Sequence, residues 1–312
     1  MNKIFTYSVI AIVSSLVLGI SLTYLVISGK DKNGAIETTS PPAETEESAN
    51  HPYPPPSMDE VPEGEEGELI KLGLKYVTET ATALDGYSGN NLSCASCHAG
   101  GGYEEPLDLV GISKTYPQYN PRAGREVTLE ERINGCFRRS MNGEPLPEDS
   151  REMKAMVAFY DYISENVPDG TTERPWAKLD RSKADIENVD IDAGREIYNK
   201  ACISCHGENG DAGNLALWGE NSYNIGAGMA RLRTAAGFIQ AYMPKMEIGG
   251  YSQGSLTDEE AMNLAAYINS HDRPDFPDKI YDWPKGDAPD DAAYETLAGN
   301  KDQEKEKEKE KQ

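Results

Sequence analysis

Two pentapeptides of the form Cys-x-x-Cys-His, Cys94-Ala-Ser-Cys97-His98 and Cys202-Ile-Ser-Cys205-His206, constrain this 312-residue chain more than any other feature. In that spacing two thiols bond the vinyl groups of a porphyrin and the adjacent His supplies the proximal iron ligand. A thioredoxin-like redox pair or half of a zinc site needs no His directly after the second Cys, and each zinc site would lack further ligands. The pattern therefore predicts two covalently attached haem c groups, one on Cys94, Cys97 and His98, the other on Cys202, Cys205 and His206.

Haem attachment of this kind takes place outside the cytoplasm, and the N-terminus agrees with such a location. Residues 4–27 carry no charged side chain, a length that spans a bilayer as a helix and exceeds a secretory h-region of about 7–15 residues. No small-x-small cleavage site ends the run, so an uncleaved anchor in a bacterial inner membrane is expected, with the haem domains on the periplasmic side. Between residues 33 and 70 there are ten acidic residues, no Lys or Arg, and a cluster of prolines, a composition that reads as an extended tether. The closing Lys/Glu run reads as a solvated tail. With a formal net charge of −23, nucleic acid is an unsuitable partner, whereas a basic redox protein would be steered toward the surface.

The surroundings of the two pentapeptides match loosely. Helical spacing ahead of the first places Leu69, Leu72 and Tyr76 on one face, and a short helical segment from Asp192 to Tyr198 leads into the second. Each is followed by an amphipathic helix opened by a capping-box pattern, Asp149 to Glu152 in one half and Thr257 to Glu260 in the other. No β-branched alternation suggests a sheet. The expected fold is all-α, two tandem cytochrome c-type domains behind a transmembrane helix. The segments are anchor 1–30, disordered tether 31–64, first domain 65–168, linker 169–184, second domain 185–275, and C-terminal extension and charged tail 276–312.

Each iron has a further axial position. Outside the pentapeptides only His51 and His271 remain, in the expected tether and after the last helix, which disfavours bis-His ligation. For the second haem the candidates are Met229, Met243 and Met246, with Lys245 behind them. Met243 precedes Pro244 and is thereby pushed to a helix end, where a thioether can turn inward; any of the methionines also suits core filling. For the first haem the candidates are Cys136 and Met141. An isolated Cys is commonly a small buried hydrophobe. A free thiol in an oxidising compartment needs shielding, however, and thiolate coordination beside Arg138 and Arg139 would provide it.

The segment "RINGCFRRSMNGEPLP", with Cys-Ala-Ser-Cys-His ahead of it, resembles the first haem domain of dihaem thiosulfate dehydrogenases and of the related SoxA cytochrome of the sulfur-oxidising Sox system. "LWGENSYNIGAGM" and "FIQAYMP" resemble the second half of the dehydrogenases. The resemblance covers about residues 65 to 272. It implies His98/Cys136 ligation at an active-site haem, His206/Met243 at an electron-exit haem, and oxidative coupling of two thiosulfates to tetrathionate with delivery of electrons to a cytochrome or respiratory complex. It also implies substrate binding by Arg122 and Arg125, in keeping with the fork geometry that guanidinium offers to oxyanions, with Arg132, Arg138 and Arg139 as possible assistants. Tyr242 departs from the amide or amine expected before the methionine. Two other readings accommodate the haem motifs: a non-catalytic electron carrier, and a Sox-type enzyme that joins thiosulfate to a carrier protein.

Overall fold

The computed structural model describes residues 51–105, 107–212 and 215–300, and all of these belong to one compact unit. The expected anchor, most of the expected tether and the final Lys/Glu run lie outside the described residues. Among the described residues no helix is long and apolar enough to cross a membrane.

The first domain is built on α1 (Glu65–Thr78), α2 (Leu129–Arg139) and α3 (Arg151–Ile163). Glu65, Glu66 and Glu68 occupy the first turn of α1, where carboxylates complement the helix dipole. The buried stripe of α1 is Gly67, Ile70, Gly73 and Val77, one position away from the expected Leu69, Leu72 and Tyr76, which are half-buried. The reason is Gly73. A Cβ there would stand 2.0 Å from the Ala155 carbonyl oxygen and 2.7 Å from Phe159 Cβ, so a glycine stripe lets α1 press directly onto α3. Helix α3 starts one residue later than the expected box, capped by the Ser150 hydroxyl, which accepts from Met153 N–H at 3.1 Å.

The second domain repeats the plan with α4 (Ile191–Ala201), α5 (Leu232–Tyr242) and α6 (Asp258–Asn269). Its crossing also depends on a glycine, because a Cβ on Gly194 of α4 would lie 2.1 Å from the Asn263 carbonyl oxygen of α6. Thr257 and Glu260 form the expected capping box of α6.

Three features depart from the sequence reading. The fold is mostly helical but not all-α: β1 (Gln118–Asn120) and β2 (Arg125–Val127) pair antiparallel, with Gln118 opposite Val127. The strands are three residues long and Val127 is their one buried side chain, so no alternation was legible. Second, residues 51–64 are not a free tether. Tyr53 and His51 meet the Trp176 ring edge-on at 5.2 and 5.7 Å, while the carbonyls of Pro54, Pro56 and Ser57 accept from Asn166, Tyr103 and Tyr162. Prolines are cheap to order, having fixed φ and no N–H to satisfy. Third, the C-terminal extension is not free of the domains: between Asp278 and Asp291 it bonds to Arg138 and Arg139 of the first and Arg233 of the second.

That extension closes the contact between the domains. Asp282 accepts both Nη atoms of Arg139 at 2.8 Å and the Tyr294 hydroxyl, and lies 3.7 Å from Arg122 Nε. Arg122 in turn donates to the Gly226 carbonyl of the second domain at 2.6 Å, and Asp290 takes the Arg233 fork. The C-terminal end of α2 completes the join. Its carbonyls at Arg138, Arg139 and Ser140, which the helix itself leaves without partners, accept from Asn224 side chain, Asn224 N–H and Asn90 side chain at 2.8, 3.1 and 3.0 Å. Asn90 also donates to the Ser222 carbonyl, and Leu92 shares an apolar cluster with Tyr223, Ala227 and Ala230.

Alanine at Gly73 or Gly194 gains at most about 1 kcal/mol of helix propensity, whereas overpacking costs about 1–3 kcal/mol. With backbone oxygens at 2.0 and 2.1 Å the clash wins, and urea melts of both variants are expected to show net destabilisation. Asp282→Asn leaves two guanidiniums beside a carboxamide and should lower unfolding stability by about 3 kcal/mol, measured the same way.

Candidate haem sites and the Cys136 pocket

The first pentapeptide forms a tight turn in which Cys97 and His98 N–H both donate to the Cys94 carbonyl, at 3.2 and 2.9 Å. His98 Nδ1 lies 2.7 Å from the Leu107 carbonyl. A carbonyl only accepts, so Nδ1 carries the proton and Nε2 presents a bare lone pair, which is what an iron ligand requires. Burial pushes the His98 pKa down to about 4, against the pull of that hydrogen bond, and Arg132 and Arg174 push it further down. The ring is therefore neutral at physiological pH. Burial also raises the free thiols of Cys94 and Cys97, to about 12 and about 11, with Cys136 adding to the rise in each case.

Cys136 thus lies across from the first pentapeptide, carried there by α2. The Thr128 and Glu131 capping box starts that helix. Asn134 then ties it down by accepting from Leu146 N–H and donating to Leu146 C=O, at 2.8 and 2.9 Å. Phe137 and Met141 fill the domain core, whereas half-buried Cys136 is outside that core cluster. Core filling is the role of Met141, not of the cysteine. Arg132, one turn earlier, donates from Nη1 to Cys136 Sγ at 2.9 Å. The Cys136 sulfur is the foremost influence holding the Arg132 pKa above its usual value. The Arg132 side chain sits among Cys136, Tyr116, Tyr160 and His98. Arg174 joins from the linker, its Nη1 donating to the carbonyls of Asp108 and Val110 at 3.2 and 3.3 Å.

The other arginines are elsewhere. Arg125 is an exposed hairpin residue that forks onto Glu131 at 2.6 and 3.0 Å. Arg122 is held at the domain contact, stacked 4.8 Å over Trp283, with its pKa lowered to about 10 by burial first and by neighbouring Arg139 and Arg231. Arg138 and Arg139 turn to Asp278 and Asp282 and not to the Cys136 sulfur. The pair expected to bind substrate, Arg122 and Arg125, is therefore not brought to Cys136. Arg132 is, and its i, i+4 spacing to Cys136 was the available signal. Arg174 had none, because its approach depends on the path of the linker.

In the second site Cys202 caps α4, and Cys205 and His206 N–H donate back to its carbonyl at 3.1 and 2.9 Å. Burial raises the Cys202 thiol to about 11 and lowers the His206 pKa, which a hydrogen bond toward the Leu215 carbonyl partly restores. His206 Nδ1 makes no well-formed hydrogen bond among the described residues. Met243 sits just past α5 in extended backbone, φ −128°, ψ 149°, as Pro244 requires. It packs with Cys202, Ile203, Met229 and Trp218 on one apolar cluster. Met246 is 64% exposed. His271 stacks on Trp218 at 4.1 Å with Nδ1 against the Tyr267 carbonyl, and His51 Nε2 lies 3.6 Å from Asp108. Neutral imidazoles, paired thiols and apolar walls in both domains fit a haem c.

Residues 85–168 match the SoxA/TsdA cytochrome c domain family, and residues 189–268 match the family of cbb3-type cytochrome c oxidase subunit III. The chain is 38% identical over 250 residues to the thiosulfate dehydrogenase of Psychrobacter arcticus, covering 76% of this chain and 73% of that one. It is 37% identical over 234 residues to the thiosulfate dehydrogenase of Allochromatium vinosum, covering 69% and 82%. Among solved structures it resembles the thiosulfate dehydrogenase TsdBA of Marichromatium purpuratum, with a TM-score of 0.66 and 34% identity over 76% of this chain; it spans about half, 52%, of that longer chain. The chain belongs to the thiosulfate dehydrogenase family and carries two covalently bound haem c groups, one in each of its cytochrome c domains.

Proposed function

We propose that this protein is an oxidoreductase that couples two thiosulfates into tetrathionate at the first haem site, where His98 and Cys136 would hold the haem iron. His206 and Met243 would hold the iron of the second haem, which would supply the way out for the electrons. The reaction balances as two dianions losing one electron each while a single sulfur–sulfur bond forms between them. Bound haem supplies the one-electron acceptor; the remaining requirements fall on the chain.

The first requirement is electrostatic. Two dianions about 5 Å apart repel by about 13 kcal/mol at an effective dielectric near 20, so positive charge must be close. Arg132 answers this with a guanidinium 2.9 Å from Cys136 Sγ, and this contact is the observation that carries the reading. Arg174 adds a second cation, held at a distance by two backbone carbonyls. The second requirement is a sulfur at which thiosulfate sulfur is handled. Cys136 Sγ is close enough to Cys94 and Cys97 to act on their thiols and is outside the aliphatic core, and the Arg132 donor stabilises electron density on it.

The charge-free stretch at residues 4–27 supports tethering to a bacterial inner membrane, with the haem domains on its periplasmic face. The acidic chain, at −23, suits a basic cytochrome or a respiratory complex as acceptor.

Cys136→Met is expected to keep both haems attached, change one low-spin electron paramagnetic resonance signal and abolish thiosulfate oxidation; retained turnover refutes the catalytic role. Arg132→Gln should lower kcat/KM for thiosulfate about a hundredfold, equivalent to about 2.7 kcal/mol, in steady-state assays with an artificial acceptor. Arg125→Gln should lose at least about tenfold less. If added thiosulfate leaves the haem bands of the oxidised protein unchanged, the protein is an electron carrier instead.

A further inference from the structure

The first turn of α5 holds two polar groups that the fold does not satisfy. Arg231, the residue that precedes the helix, buries its Nε without a hydrogen-bond partner, and Thr234 buries its Oγ1 in the same condition. Among the described residues Arg231 forms no ion pair, although its neighbours Arg122, Arg139 and Arg233 all do. The nearest acidic influence is Asp291, which is already accepting from Arg233 N–H at 3.0 Å, while Arg181 and Arg122 set like charge against it. A partly buried guanidinium without a partner is costly. So is a buried hydroxyl beside it, and both need an acceptor that the polypeptide does not supply.

The position of α5 says what kind of acceptor fits. Leu232, Ala235, Ala236 and Ile239 run along the helix into the apolar cluster that holds Cys202, Ile203 and Met243. One helix therefore presents a sulfur at its C-terminal end and unpartnered donors at its N-terminal end, with an apolar wall between them. Haem c combines those features in reverse: an iron at its centre, an apolar ring, and two carboxylates on one edge. We propose that Arg231 and Thr234 form the binding site for a propionate carboxylate of the second haem, and that Arg231 thereby raises the potential of that haem. This inference rests on the two covalently bound haems and not on thiosulfate as substrate, so it stands or falls separately from the catalytic reading.

The test is a spectroelectrochemical titration of the full-length protein and of Arg231→Gln, Arg231→Lys and Thr234→Val. The two haems are resolved by their low-spin resonance signals and assigned by which signal is lost in Cys202→Ala/Cys205→Ala, which lacks the attachment of the second haem. Two haems per chain are first verified by the pyridine haemochrome. Removing the cation is expected to favour the oxidised second haem at least tenfold, a fall of 59 mV for a one-electron couple. Arg231→Lys should recover part of that fall, and Thr234→Val should move in the same direction by less, with the first haem unmoved. A second-haem potential that holds within threefold in both Arg231→Gln and Thr234→Val overturns the proposal, and so does a shift confined to the first haem. A free oxyanion is the competing source of the same chemistry. If sodium sulfate, against sodium chloride at equal ionic strength, shifts the wild-type potential and Arg231→Gln abolishes the effect, the site belongs to a free anion and the propionate assignment fails.

Discussion

The site proposed in the first domain rests on the contact between Arg132 Nη1 and Cys136 Sγ, and that contact is held in place by the fastening of α2. Its N-terminus is closed by Thr128 and Glu131, its middle is bonded to the Leu146 backbone through Asn134, and Phe137 is fully buried behind it. Its last carbonyls are satisfied by Asn90 and Asn224. A sulfur and a cation one helical turn apart are thereby fixed against the first pentapeptide. Geometry of this kind matters most where charge must be brought to charge, because misplacing a guanidinium by an ångström sacrifices most of its electrostatic value.

The same helix joins the two domains. Because Asn224 of the second domain caps carbonyls of the first, and Asp282 of the extension grips Arg139 from the last turn of α2, the sulfur site and the domain contact share one rigid element. The two sites differ in their settings even though their pentapeptides are alike. In the first, Arg132 and Arg174 act on His98, and Tyr116 and Tyr160 neighbour Arg132. In the second, the walls are Met229, Ile203, Leu217 and Trp218. The polar, cation-bearing pocket suits an anionic substrate, and the apolar one suits electron transfer without one.

The amphipathic helices, the capping box at Thr257 and the extended backbone at Met243 were legible in the sequence because each is enforced within a few residues. The glycine crossings at Gly73 and Gly194 were not, since nothing local marks which glycine will meet a partner helix 82 or 69 residues away. The partners of the arginines were not legible for a related reason. Arg122, Arg125, Arg138 and Arg139 are all close to Cys136 in sequence, yet Asp278, Asp282, Gly226 and Glu131 claim them in space. Composition misjudged residues 51–64 as well, because a proline-rich run costs little to order once Asn166, Tyr103 and Tyr162 are present to take its carbonyls.

By itself the sequence determined the two haem attachments, since five consecutive residues contain all the covalent chemistry and one turn of backbone positions it. It also determined that a thioether follows α5, through the restriction proline places on its predecessor. Only the tertiary structure decided which guanidinium reaches the Cys136 sulfur, which carboxylate holds the domains together and which donors at the start of α5 are left without a partner. Those outcomes depend on long side chains that choose among distant acceptors by burial and competition, and no local pattern records the result.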